Sequence, residues 1–583
     1  MPNGSADTAT FALSNTTAIS ISANTELNGI TFTAAATNPY TITANPGLTF
    51  TISGMGITNN SGIGQEFDIP VDASNNGGTI AFSNSATAGS NVSIFNDGGT
   101  INFLNMSTAG SATIGNFSED FTTSPTTNFF NRSTASNSTI ANEGGSVSFA
   151  NNSSAGSAFI DLDRGSVLQF TDNSTAANST IGTFFSSRVS FSGNSTAASA
   201  SIGVRDASFL EFANNSTAGS ATITSGGGAI FFDGSSKGGT AQIELLSSPF
   251  FEPSQLFFSE SSTAGSATII NDGATDFSFA GVTSTFFGDT STAGSATIIA
   301  NGGPFGGGQI LFGNNSTGGT SRIEVFGNGF LDISAHNAPG VTIGSIEGDG
   351  DAFLGANDLT VGSNNLSTTF SGVIQGVGGS LTKIGTGTLD LTGANTYTGN
   401  TSINRGVLKV DGSITSNTFV NHGGTLAGTG TISGDVMNKG TVSPGDAPGT
   451  LTINGNYTQA SNGTLLIDIA GGNAGECSVL DVLGTANLSG LLDPVLLNGF
   501  VPTIGESFTF LNYGAVTGTL DIFDRNIDSL AEHWEVSYLP TSAILTVAAG
   551  NISVPDHGST FLLLTLSLLG LATYRWRLLC RQA

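Results

Sequence analysis

Apolar side chains between residues 79 and 345 recur in two registers. The first is an apolar-x-Phe triplet, found at Ile80/Phe82, Ile101/Phe103, Val147/Phe149, Leu168/Phe170, Val189/Phe191, Leu210/Phe212, Ile230/Phe232, Leu256/Phe258 and Ile310/Phe312. The second is an isoleucine closing a small-residue octapeptide. STAGSATI stands at Ser107–Ile114, Ser216–Ile223, Ser262–Ile269 and Ser291–Ile298, with looser copies between them and a last one at Ser316–Ile323. From Ile114 to Ile323 the closing isoleucines are 20 to 29 residues apart. A spacing of two places both apolar residues of a triplet on one face of a strand. Each unit then reads as a strand, an Asn-rich turn such as Asn151-Asn152, a Ser/Thr/Ala strand and a Gly-rich turn. No unit of this size buries its apolar face alone, whereas stacking one on the next buries it continuously. Helix is excluded, because Gly, Asn, Thr and Ser fill every window and no 3.6-residue stripe appears. Propeller blades need about 40 residues. The pattern predicts an all-β parallel β-helix (β-solenoid) with 20–29 residues per rung.

The segmentation follows from this. Residues 1–78 read as opening rungs, 79–345 as the repeat coil, 346–488 as further β-helix, and 489–550 as a β-rich C-terminal cap containing Phe508–Leu511, Trp534 and Ala543–Val547. A cap is expected because an open solenoid end templates aggregation. Residues 551–583 carry an apolar run, Phe561–Tyr574, expected to be a hydrophobic helix. The opening MPNGSADTATF has neither a charged n-region nor an apolar h-region, so the true start is expected upstream.

Composition changes the picture in two ways. Charged residues make up 10% of the chain, against about 25% in ordinary domains, yet 41 Phe separate it from a disordered Gly/Ser tract. The balance of 14 Lys+Arg against 42 Asp+Glu, net −28, leaves no basic face for phosphates, so nucleic acid is excluded as a partner. Cys477 and Cys580 form no disulfide framework. The many N-x-S/T triplets read as turn positions, which Asn favours, ahead of glycosylation acceptors.

A search for chemistry nominates no catalytic residue, no metal site and no cofactor, and the chain reads as a non-enzyme. The best acidic constellation is Asp161-Leu162-Asp163-Arg164, with Asp161 and Asp163 expected on one face and Arg164 near a turn. It is read as a solvated, locally paired face. Glu347-Gly348-Asp349-Gly350-Asp351 lacks the order and distal Glu of an EF-hand and reads as a turn. His336, His422, His533 and His557 show no ligand spacing. The alternative reading is a β-helical carbohydrate-active enzyme, a polysaccharide lyase or hydrolase, which needs paired carboxylates.

Two stretches resemble known families. Gly379–Val410 contains L-T-K-x-G-x-G-T-L (Leu381–Leu389), L-x-G-x-N-x-Y-x-G (Leu391–Gly399) and G-x-L (Gly406, Leu408), and resembles the autotransporter-associated β-strand repeat. The resemblance implies a β-helical exported passenger and no particular reaction. At the C terminus Val554, Pro555, Asp556, Gly558, Ser559 and Thr560 precede the apolar run, and Arg575, Arg577 and Arg581 follow it. This order resembles PEP-CTERM sorting signals beginning V-P-D-x-G-S, with His557 where Ser is more usual. The resemblance implies an exosortase-like processing protease as partner and initial membrane anchoring through the C-terminal helix. Arginines beyond the helix place its end in the cytoplasm and the body outside. Together these features point to a cell-surface or extracellular solenoid of structural or adhesive role, whose Thr, Ser and Asn faces would meet polysaccharide or matrix by many weak contacts.

Overall fold

The computed structural model describes residues 2–118, 122–248, 252–275, 281–523, 527 and 532–550. The apolar run and basic residues expected to form a C-terminal helix and tail lie outside the described residues. Among those described the protein is all-β, and no helix is long and apolar enough to cross a membrane. The chain divides into two compact units, one of residues 1–425 with 430–434, the other of 426–429 with 435–583.

In the first unit the apolar-x-Phe triplets form short strands such as Ser146–Phe149, Val167–Phe170 and Arg188–Phe191, paired in parallel and in register. The register sets phenylalanine directly on phenylalanine. Eleven of them, from Phe82 to Phe312, form one inward ladder with centroids 4.5–4.9 Å apart and planes within 13° of parallel. Two of these rungs break the apolar-x-Phe pattern, because Thr127 and Thr285 stand at the apolar position. Their hydroxyls are buried and donate to Asn116 Oδ1 (3.0 Å) and Asn271 Oδ1 (2.8 Å), which gives each inward hydroxyl a partner. The closing isoleucines build a second parallel sheet, in register from Ile94 to Ile346.

The octapeptide is not the single strand that alternation suggested. Its second residue makes an isolated parallel bridge to the next rung, as in Thr175–Thr196 and Thr196–Thr217. That residue's hydroxyl accepts the N–H two positions on, from Gly110, Ala177 and Gly219 to Thr108, Thr175 and Thr217 at 3.0 Å. A Ser/Thr turn of this kind competes with strand formation, and the residue it bends is left-handed, φ 53° at Ala177 and 63° at Gly219. Only the last residues join the Ile sheet. The coil therefore has a third side, one residue wide along the repeats.

The Asn-rich turns do behave as the pattern suggests. Asn131, Asn151 and Asn214 are left-handed with φ near 60°, a conformation that Asn tolerates. They also link rungs: Asn131 Oδ1 accepts the N–H of Asn105 (3.0 Å), and Asn151 Oδ1 that of Asn131 (3.1 Å).

From Gly340 the third side widens into true strands, Gly340–Ile343, Asp358–Val361, Ser380–Lys383, Thr401–Ile403 and Thr418–Val420, stacked in parallel. Here three polar letters of the repeat at 381–410, Lys383, Asn395 and Tyr397, are buried and hydrogen-bonded. Lys383 Nζ donates to the carbonyls of Ile384 (2.6 Å), Gly385 and Arg405 (both 3.4 Å). Asn395 accepts the N–H of Ile374 and donates to the carbonyls of Gly393 and Ser413. The Tyr397 hydroxyl meets Thr401 Oγ1, which meets Ser416 Oγ, each at 2.6 Å. A Cβ on Gly393 would collide with the carbonyl oxygen of Gly372, so glycine there permits rung-on-rung approach.

In the second unit Thr450–Ile453 pairs in parallel with Val479–Leu488, and that strand with Ser507–Gly518. The direction then reverses: Ser542–Ala549 runs antiparallel to both Ser507–Gly518 and Glu532–Tyr538. Trp534 is buried in this hairpin and meets Phe508 edge-to-face at 5.9 Å.

Candidate functional site

The outward positions of the Ile sheet carry the chemistry, because register converts sequence spacing into columns of side chains. Asp161, Gly182, Gly203 and Thr224 occupy one column, and Phe159, Thr180 and Ser201 the column beside it. Phe184 and Arg205 close the opposite side, with the guanidinium carbon 5.8 Å from the ring centroid. These residues line an open dish of about 300 Å³. Its floor is the two glycines. Phe159 is 48% exposed on its rim.

Asp161 and Asp163 share the outward face, as alternation predicts. The Arg164 backbone N–H donates to Asp163 Oδ1 (2.8 Å), but its guanidinium forms no ion pair with either carboxylate. Arg164 sits in a left-handed turn (φ 55°) and reaches Glu143 at 3.3 Å. Burial pushes the Asp161 carboxyl above its ordinary range, and Asp163 and Glu143 add to that push. Phe184, Arg205 and the glycines were not singled out from sequence. The signal was present in the successive segments T-I-G-T (Thr180–Thr183) and S-I-G-V (Ser201–Val204), where glycine follows the ladder isoleucine.

A larger groove of about 500 Å³ lies further along the same sheet, lined by Arg322, Glu324, Glu347, Asp390 and Lys409 over Ser367, Thr368, Thr369 and Thr388. Its charges close on one another. Arg322 pairs with Glu324 at 2.9 Å and with Glu347, and Lys409 with Asp411 at 2.6 Å and Asp390 at 3.7 Å. Burial raises the Glu324 carboxyl, with Arg322 opposing.

The remaining sequence candidates have local roles. Asp349 accepts the N–H of Gly327 at 2.8 Å beside Gly348, which is left-handed at φ 106°. The His336 ring contacts the carbonyls of Asn337 (2.5 Å) and Ser316 (2.8 Å). Among the described residues no group of three His, Cys, Asp or Glu converges as a metal site. Burial pushes the Cys477 thiol up to about 12, with Asp468 adding to it. Val554, Pro555, Asp556, Gly558, Ser559, Thr560, Arg575, Arg577 and Arg581 lie outside the described residues.

Comparison with known proteins meets this geometry at the buried-polar repeat. The passenger-associated transport repeat family matches residues 381–410. An extracellular serine protease of Serratia marcescens is 46% identical over 86 residues, which is 15% of this chain and 8% of that protein. The adhesin BmaC autotransporter of Brucella suis biovar 1 (strain 1330) is 44% identical over 104 residues, 16% of this chain and 3% of that protein. The chain thus spans less than a tenth of the length of either relative. What it demonstrably shares with the transport-repeat family is the segment 381–410, whose Lys383, Asn395 and Tyr397 lock one rung to the next.

Proposed function

We propose that this protein is an exported cell-surface β-solenoid of structural or adhesive role. The observation that carries the reading is the passenger-type repeat at 381–410, built into a coil of in-register parallel strands. The names of the relatives, an extracellular protease and an adhesin, support an extracytoplasmic setting. In this reading the tail from Val554 to Thr560 is the sorting motif, an exosortase-like protease processes it, and the apolar run with Arg575, Arg577 and Arg581 holds the chain in the membrane beforehand. Extracellular polysaccharide or matrix is the partner.

Mass spectrometry of the protein from its native host, fractionated into surface, membrane and medium, tests this. A surface form ending near Val554–Thr560 is the expected result. An intact chain to Ala583 in the membrane fraction would make the tail a permanent anchor, and a cytoplasmic chain would end the surface reading. Release of reducing ends or unsaturated uronides from polysaccharides, lost in Asp161→Asn, would replace the structural role with an enzymatic one.

A further inference from the structure

We propose that the dish over Gly182 and Gly203 is a binding subsite for one ring of a neutral saccharide. The proposal rests on the adhesive reading above and names the ligand class for one part of that surface.

The opening is not imposed by the backbone. Neither glycine is left-handed. A Cβ on Gly203 would meet no atom closer than 4.0 Å, and one on Gly182 would meet only the side chains of Asp161 (3.3 Å) and Phe184 (3.5 Å), no backbone. Most other rungs carry side chains at the same column position, Ala141, Thr224, Glu244 and Ile270 among them, with Gly115 an isolated exception. Two consecutive rungs without side chains therefore leave a space that packing did not require. The walls supply what a pyranose ring presents. Phe159 and Phe184 offer apolar surface for its C–H face, Asp161 accepts hydroxyl protons, and Arg205 donates to hydroxyl oxygens. Thr180 and Ser201 continue the wall begun by Phe159.

Two observations separate this dish from the larger groove. Among the described residues neither Asp161 nor Arg205 takes part in an ion pair, whereas Arg322 and Lys409 are each held by two carboxylates. A volume of about 300 Å³ also stands at the low end for small-molecule sites, which suits one ring of a longer chain. A neutral sugar is favoured over a uronate because Asp161, Asp163 and Glu143 crowd one end with negative charge.

The test is native affinity electrophoresis of the full chain in gels containing dextran, mannan, arabinoxylan or polygalacturonate. At least one neutral polymer is expected to retard the protein. Phe184→Ala and Asp161→Asn should each weaken that retardation at least tenfold, and Gly203→Val, whose Cβ meets no atom closer than 4.0 Å and whose methyls fill the floor, should abolish it. Ser190→Ala, outward on the neighbouring sheet, should leave it unchanged. Asp161→Asn is isosteric, so its result does not depend on a risk of misfolding. Retardation by polygalacturonate alone, retardation indifferent to these substitutions, or none at all would overturn the subsite. A chain found on the surface that no polymer retards loses the subsite and keeps the surface reading. A chain that binds but is absent from the surface does the reverse.

Discussion

Phe170 and Phe191 stack with centroids 4.6 Å apart and planes 3° from parallel, although 21 residues separate them in the chain. That offset is one turn of the coil, so the contact measures how accurately one rung repeats the last. Both rings are fully buried, and Phe191 has a second neighbour, Phe212, at 4.8 Å.

Phe191→Ala should therefore remove packing on two rungs at once. The expected loss is about 3–5 kcal/mol, read from guanidinium unfolding, while Ser190→Ala on the outward side should stay within about 0.5 kcal/mol. Equal effects of the two substitutions would mean that the ladder is not what holds the rungs together.

Ala177 and Ala198 occupy the left-handed corner at φ 53°, where Gly156 and Gly219 stand in the flanking rungs. A Cβ in this region costs roughly 1–2 kcal/mol, partly offset by the entropy glycine loses on folding. Ala177→Gly and Ala198→Gly are each expected to stabilise by about 0.5–1 kcal/mol, measured as an upward shift of the unfolding midpoint. A downward shift would show that the corner is not strained.

Asp68 shares the outward face of Gln65–Ile69 with Glu66. Burial raises its carboxyl from 3.8 to about 6, with Glu66 and Asp97 contributing. Between those values the folded chain holds the proton more tightly than the unfolded chain, so stability falls as pH rises through that window. Asp68→Asn should flatten this slope and stabilise the fold at pH 7 by about 1 kcal/mol once solvent screening is allowed for. Thermal melts of both proteins from pH 4 to 7 decide it.

Lys383 gives the opposite slope. Burial pushes its ammonium from 10.5 down to about 8, so between those values the unfolded chain binds more protons and stability rises with pH. Lys383→Met should erase that slope and cost about 1–3 kcal/mol at pH 7, because the carbonyls of Ile384, Gly385 and Arg405 lose their donor. Unfolding curves from pH 7 to 10 report both effects, and a wild-type slope of the other sign would contradict the burial argument.

Much of this architecture is local and was legible without coordinates. The Ile and Phe positions, their inward face and the turn role of Asn151 follow from a period-2 alternation repeated at rung length, since strand faces and turn conformations depend on neighbouring residues alone. The octapeptide was misread as a strand because alternation cannot see a Thr175 hydroxyl capturing the Ala177 N–H and bending the chain. Nor could it show that Thr127 and Thr285 belong to the ladder rungs, since their partners Asn116 and Asn271 are 11 and 14 residues away.

By itself, then, the amino-acid sequence determined the rung: its strands, its buried face and the polar letters of the 381–410 repeat. Only the tertiary structure decided which outward residues meet. Asp161 faces Gly182 and Gly203, and Arg164 turns to Glu143, because the register between successive rungs is set by inward stacking of Ile on Ile and Phe on Phe. Outward side chains have no part in choosing that register. They are carried into columns by the core beneath them.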